Sequence, residues 1–456
     1  MHTVPRAHVL TAGDDGWDAA RQAFNLTADQ RPGAVALPES ERAVLEAVRF
    51  ASAAGLRVAP QSTGHNAGPL APSLDGALLL KTSRLREVEI DPARRRARVA
   101  GGTLWGEVVT AAYRHGLAAL HGSSPTVGVA GYSLGGGIGW LARRYGLQTN
   151  SLTAVELVTA DGELVCVDED HDPDVFWALR GGGGNFGVVT ALEFELYPVQ
   201  HAYAGWLAWD WRAAELVLKR WSQWAGEAPD TVTTSARILR LPPDPDLPEE
   251  VRGRPLVAID GAVIGDRYEA EAPMAPLREL RPEIDTFGTV PATALARLHL
   301  DPEDPVPVLT DDRLLTDLPS EAVEAFVGAA GPESGSTLMI AELRHLGGAL
   351  GRTPKRHGAL PRLDGDFLLF GCAVPMGPGS AAAGRAHAAR LTEALDPWSS
   401  GRRYQNFTER RVEPGSFFDP DTYRRLTAIK ARVDPDGLFQ ANHAIDPHLV
   451  DRRRYG

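Results

Sequence analysis

Three glycine-bearing stretches hold the residues best suited to chemistry. The first, Pro60-Gln61-Ser62-Thr63-Gly64-His65-Asn66-Ala67-Gly68, sets a lone histidine among turn-forming residues just after a strand-like run. A histidine kept for packing sits on a helix face or a strand. The small residues around His65 instead favour a tight loop with exposed backbone N–H groups, a nest able to hold an anion. The pattern points to a phosphorylated group lying against residues 60–66.

The second stretch, Thr126 to Ala142, fits several chemistries. Gly131-Tyr132-Ser133-Leu134-Gly135 matches the G-x-S-x-G elbow of serine hydrolases, with His443 an available partner for Ser133. The elbow requires a helix straight after the serine. The run Gly135-Gly136-Gly137-Ile138-Gly139 starts one poorly, each glycine costing about 1 kcal/mol against alanine. Gly137 to Ala142 also fits a G-x-G-x-x-A dinucleotide fingerprint, with Asp161 about twenty residues on. Glycines rather than a strand precede it, and Asp161 falls in a hairpin turn, so a close-packed turn accounts for the match more simply.

The third stretch, Arg180 to Thr190, contains four successive glycines that are costly to order. Close approach of the backbone to something flat or charged explains them. The acidic run Asp168 to Asp174 alternates like a calcium loop, but Val175 and Gly181 stand where that loop needs glycine and glutamate. No H-E-x-x-H or paired C-x-x-C occurs, so no catalytic metal is supported.

The elements that must position these residues follow from patterning. Residues 33–60 read as strand, helix capped by Ser40, strand, and residues 151–167 as a hairpin turning at Ala160-Asp161-Gly162. After about residue 200, strand-like runs alternate with helical segments and Pro-rich loops, the texture of an antiparallel α+β domain. Residues 242–250 are the most linker-like segment. Near residue 400 the chain returns to a helical end.

Length and composition set the outer limits. A chain of 456 residues is too long for one core, and 43% hydrophobic with 23% charged residues is globular. The net charge of −12 argues against nucleic acid or an anionic membrane as the main partner. Arg94 to Arg98 and the terminal Asp451 to Gly456 are basic, and read as solvated turns or ends. No apolar stretch reaches membrane-spanning length, and no basic segment followed by an apolar run opens the chain. Cys166 and Cys372 fit neither a disulfide framework nor a metal site. A cytoplasmic, soluble protein is the expectation.

Taken together and in order, the three stretches resemble the flavoproteins of the vanillyl-alcohol oxidase (PCMH-type) superfamily, and within it the berberine bridge enzyme-like oxidases. Tyr404-Gln405-Asn406-Phe407-Thr408-Glu409 and Phe417 to Ile445 complete the resemblance, which covers residues 18–200 and 400–446. Between them it rests mainly on residues 341–349. It implies an α+β fold. An FAD-binding domain is built from residues 1–200 (its PCMH-type part about 28–198) and 400–456, with an antiparallel substrate domain inserted at 201–399.

The resemblance also assigns roles. Pro60, Gln61, Ser62, Thr63, Gly64, His65 and Asn66 would cradle the FAD pyrophosphate, with His65 the residue linked to the flavin 8α-methyl. Ser124, Gly128, Gly131, Tyr132 and Gly139 would pass along the cofactor, Val188 would follow the third loop, and Asn442 would lie near the flavin ring. Bicovalent members carry a cysteine where this chain has Ser124, so at most one covalent bond, through His65, is implied. The implied activity is an FAD-dependent oxidoreductase passing hydride from an alcohol, sugar, amine or natural-product intermediate to flavin N5, with oxygen re-oxidising the flavin. Tyr404 is the first candidate base and His345 the second. Two other readings stand beside it: an FAD-bound non-redox cyclase, and a serine hydrolase acting through Ser133.

Overall fold

The structure, a computed structural model, describes residues 8–245, 247–265 and 270–448; the basic run Asp451 to Gly456 lies outside the described residues. Ser40 caps the helix Glu41–Ala53 by accepting from the Ala43 N–H at 3.2 Å. That helix buries Ala43, Val44, Ala47, Val48 and Ala51, and so crosses the chain over between parallel strands. β1 (His8–Leu10), β2 (Ala34–Leu37), β3 (Arg57–Gln61) and β4 (Ala77–Lys81) form a sheet in the order β1-β2-β4-β3, parallel apart from β1. Leu78, Leu79 and Leu80 are fully buried, as strands covered on both faces require. β3 ends at Gln61 and delivers the histidine loop from its carboxyl end.

A second, antiparallel sheet comprises β5 (Val88–Asp91), β6 (Arg96–Ala100), β7 (Leu152–Val158), β8 (Leu164–Val167) and β9 (Val188–Glu195), in the order β5-β6-β9-β7-β8. The β7–β8 hairpin turns through Gly162 at φ +71°, a conformation that favours glycine. The helices Trp105–Tyr113 and Val129–Leu134 lie between β6 and β7.

The third sheet holds β10 (His201–Asp210), β11 (Val232–Arg240), β12 (Pro255–Val263), β13 (Ile284–Asp285), β14 (Gly288–Pro291), β15 (Leu309–Leu315), β16 (Ile340–His345) and β17 (Phe367–Ala373). Its order is β13-β10-β12-β11-β16-β17-β15, with β14 also on β10, and every pairing is antiparallel. One face packs Leu207, Ile238, Ile259, Leu343 and Leu369 against the helices Ala214–Glu227, Ser320–Ala330 and Ser380–Ala394. Side chains alternate along a strand, so the intervening residues face the other way.

Two expectations change here. Residues 242–250 join β11 to β12, which are neighbours in one sheet, so they form a loop within the sheet and not a linker between domains. β15 was not anticipated, because Asp311, Asp312 and Arg313 at its centre mask its apolar pattern. Among the described residues no helix is long and apolar enough to cross a membrane.

The C-terminal segment closes back on the first two sheets. The helix Pro420–Val433 is capped by Asp419, and Phe439 bridges Val58 of β3. The buried Lys430 ammonium pairs with Asp434 and donates to the carbonyls of Asn185 and Phe439, at 2.6 and 3.2 Å. Burial lowers its pKa and the Asp434 carboxylate opposes that. Asp434→Ala strands a buried cation and is expected to cost about 3–5 kcal/mol, read from urea unfolding.

Candidate active site

A cavity of about 410 Å³ lies where the three sheets and the C-terminal segment meet, and every residue from Pro60 to Asn66 lines it. Gly64 turns the loop at φ +81°, where an added Cβ would come within 2.9 Å of the Ala23 side chain. The His65 ring stacks on Phe24 at 3.6 Å and 12°, and its Nδ1 lies 2.8 Å from Thr63 Oγ1. Its Nε2 is buried without a partner in the protein. Burial takes the imidazole down to about 4, outweighing Asp301, so the ring is neutral. Asn66 Nδ2 donates to the Gln405 carbonyl at 2.8 Å, and Asn442 Nδ2 donates to the Asn66 carbonyl, so the C-terminal segment grips the loop.

The second and third stretches form the adjoining walls. Ser124, Gly128, Gly131, Tyr132 and Asn442 line the cavity, as do Gly183, Gly184, Asn185, Gly187 and Val189. Ser124 Oγ lies 3.0 Å from Thr126 Oγ1. Nine glycines line the cavity, six of them on these walls, and a Cβ on Gly131 or Gly184 would meet no protein atom within 4 Å and stand in the open space. Ser62 Oγ, Asn66 Oδ1 and the Tyr132 hydroxyl are buried on the walls with no partner. A glycine cradle with unsatisfied polar atoms around it fits a flat, phosphorylated cofactor such as FAD.

Several expected residues lie elsewhere. Gly139 is off the cavity, packed so that a Cβ would fall 1.8 Å from the His121 carbonyl oxygen. Val188 points into the apolar core with Val48, Leu80 and Val158, and its neighbours Gly187 and Val189 take the wall. Ser133 sits inside the helix Val129–Leu134, fully buried and off the cavity, and its Oγ has no hydrogen-bond partner. His443 Nε2 instead faces the Thr408 carbonyl at 3.1 Å, so the hydrolase reading has no dyad.

The remaining wall is the free face of the third sheet. Glu342 and Arg344 of β16, with Phe370 and Cys372 of β17, line the cavity. His345 is one position out of phase and faces the opposite way, stacked on Phe367 at 5.7 Å with Trp221 edge-on at 6.3 Å. It does not reach the cavity, which withdraws it as a base. Tyr404 does line the cavity; its oxygen accepts from the Gly137 N–H at 2.6 Å, and burial pushes its phenol above the ordinary range.

Arg344 Nε donates to Glu342 Oε1 at 2.7 Å, and His299 Nε2 lies 3.4 Å from Glu342 Oε2. Behind them, Asp260 Oδ2 sits 2.7 Å from both His299 Nδ1 and Arg237 NH2. Burial acts to raise the Glu342 pKa, but Arg344 and His299 outweigh it and hold the carboxyl well below its ordinary range. Part of the signal for this group was in the sequence: Asp260 is the one charged residue of an otherwise apolar strand, and Arg237, Glu342 and Arg344 are charged residues set among apolar ones in theirs.

The FAD-binding-domain family model matches residues 32–168, and the berberine and berberine-like model matches residues 403–446. The chain belongs to the berberine bridge enzyme-like FAD-linked oxidoreductases, of the PCMH-type superfamily, and is an FAD-dependent oxidoreductase. It is 30% identical over 454 residues to (R)-6-hydroxynicotine oxidase of Paenarthrobacter nicotinovorans, covering 97% of each chain. The solved 6-hydroxy-D-nicotine oxidase of Arthrobacter nicotinovorans superposes with a TM-score of 0.84 at 29% identity, over 97% of this chain and 98% of that one. Glucooligosaccharide oxidase of Sarocladium strictum is 35% identical over 216 residues, 46% of this chain and 43% of the relative.

Two glycine variants separate packing from cofactor space. Gly139→Ala is expected to destabilise the loaded protein by about 1–3 kcal/mol in thermal unfolding, because a backbone carbonyl blocks its Cβ. Gly131→Ala is expected to fold normally and to show a lower flavin-to-protein ratio.

Proposed function

We propose that this enzyme is an oxidase carrying one FAD bonded through His65 alone, acting on a small organic molecule with a C–H beside an O–H or N–H. The observation that carries the link is the His65 ring itself: neutral, stacked, and with one nitrogen unpartnered beside the cavity. A neutral imidazole keeps the lone pair that bonding to an electrophilic methyl requires. Ser124, at the position where bicovalent members have a cysteine, offers no thiolate for a second link. Oxygen as the electron acceptor is supported by relatives named as oxidases. The sheets at residues 8–195 and 201–373 support an FAD-binding unit from 1–200 and 400–456 with a substrate unit at 201–399.

When bound, FAD supplies a two-electron acceptor at flavin N5. The chain supplies the rest. Phe370, Phe407 and Ile138 keep water from the substrate. The Tyr404 oxygen already accepts from Gly137, so its own proton is left to donate to the substrate heteroatom, which holds the substrate in place. The buried phenol keeps that proton at neutral pH.

Denatured wild-type protein is expected to be yellow and heavier by one FAD in intact-mass spectrometry, whereas His65→Ala shows the bare chain mass. A bare wild-type chain would contradict the link. Tyr404→Phe is expected to lower kcat/KM about tenfold, the worth of one neutral hydrogen bond. The assay is anaerobic flavin bleaching by a panel of amines, alcohols and sugars that includes 6-hydroxynicotine and cellobiose.

A further inference from the structure

We propose that His299 is the proton acceptor of the oxidation, taking the substrate O–H or N–H proton on Nε2 as hydride leaves the adjacent carbon. The inference rests on the reading that a substrate is oxidised in this cavity, and is independent of the covalent link.

The case begins with how the ring is held. His299 lines the cavity, and Leu300 beside it adopts φ +60°, an uncommon conformation for a leucine that sets the turn of this loop. Ser123 Oγ donates to Asp301 Oδ2 at 2.6 Å and ties the loop to the FAD side of the cavity. Arg237 and Asp260 fix the histidine at both ends. Arg237 NH1 donates to its backbone carbonyl at 3.1 Å, and Asp260, which Arg237 also binds, accepts from its Nδ1 at 2.7 Å. The Arg237 guanidinium is itself seated over the Trp206 ring at 4.4 Å. A carboxylate on Nδ1 fixes the tautomer, leaving Nε2 as the nitrogen that can take a proton.

Asp260 is fully buried and lies off the cavity, so Nδ1 faces the interior while Nε2 faces the cavity-lining pair Glu342 and Arg344. Both protonation states have a partner in place. A neutral Nε2 accepts from Arg344 NH2 at 3.3 Å, and a protonated Nε2 donates to Glu342 Oε2 at 3.4 Å. Both contacts are long beside the 2.7 Å bond on Nδ1, so a substrate O–H or N–H can displace them.

The step balances with FAD as the oxidant. An H–X–C–H unit, where X is oxygen or nitrogen, gives one proton to Nε2 and one hydride to FAD, and becomes X=C. The imidazolium that forms is stabilised by Asp260 and Glu342.

The charged groups facing the ring are Arg237, Asp260, Glu342, Arg344 and Asp301. Burial and Arg237 act to lower its pKa; the three carboxylates outweigh them and hold it up at about 9. The neutral, accepting form therefore grows as pH rises, and kcat/KM is expected to climb to a plateau above about pH 9. Removing the Glu342 charge weakens the proton's hold and moves that limb to lower pH.

The test uses flavin-loaded protein labelled with ¹⁵N-histidine, with His299→Gln identifying the His299 signals. The expected result is a ring that titrates near pH 9, carries its neutral-state proton on Nδ1, and titrates at lower pH in Glu342→Gln. Stopped-flow flavin reduction by the most active panel compound should show the same pKa. His299→Gln should reduce its flavin about 10²–10⁴-fold more slowly with an unchanged flavin spectrum. A ring protonated throughout, a neutral-state proton on Nε2, or His299→Gln reducing its flavin within about threefold of wild type would overturn the proposal. A merely structural ion network would lower stability without moving the pH limb. A wild-type flavin that no compound reduces would defeat the oxidation reading and this proposal with it, whereas loss of the covalent link would appear only in the mass.

Discussion

The site depends on the grip of the C-terminal segment on the histidine loop. Asn66 gives its side-chain N–H to the Gln405 carbonyl and takes Asn442 on its own carbonyl, joining residues more than three hundred positions apart in the chain. Each such bond adds about 1 kcal/mol net, too little to hold a fold alone. They work because Lys430, buried on Asp434 and on the Asn185 carbonyl, has already brought the last helix down on the third glycine stretch. Without that closure the cavity has no floor, and Tyr404, Gln405 and Asn442 stand away from His65.

The second constraint is that one sheet serves two purposes. The face of the third sheet that packs on helices is apolar, while the opposite face presents Arg237, Asp260, Glu342 and Arg344, which His299 from the loop before β15 joins into a buried chain of charge. Burying five ionisable groups is costly unless each is paired, and here each one is. Hydrophobic side chains of similar volume would hold the fold at least as well. Arg237 is fixed over Trp206, and the chain of contacts runs to the cavity wall, which is where charge has a use.

That the three glycine-bearing stretches meet around one cavity was legible in the sequence, because tight loops with exposed backbone need glycine and small polar residues in order, and those needs are local. The capped helix Glu41–Ala53 and the Gly162 turn were legible for the same reason. The substrate wall was not. Which face of β16 meets the cavity is decided by its pairing with β11 and β17, and a one-residue slip exchanges the faces; the sequence marks His345 as lying on this strand without showing that it faces away from the cavity. His299 carried no motif at all, and its partners come from three separate strands. Val188 and Gly139 were misplaced by a similar margin, each one or two residues from a true wall residue, since a motif marks a segment without saying which side chains turn inward.

The most direct test of the account is a crystal structure of the FAD-loaded enzyme at neutral pH. The account places continuous density from the His65 ring to the flavin, the pyrophosphate against residues 60–66, and the flavin ring in the cavity that Tyr404, Glu342 and Arg344 line. A flavin seated against the helix-covered face of that sheet, or an FAD whose phosphates lie away from the histidine loop, would contradict it.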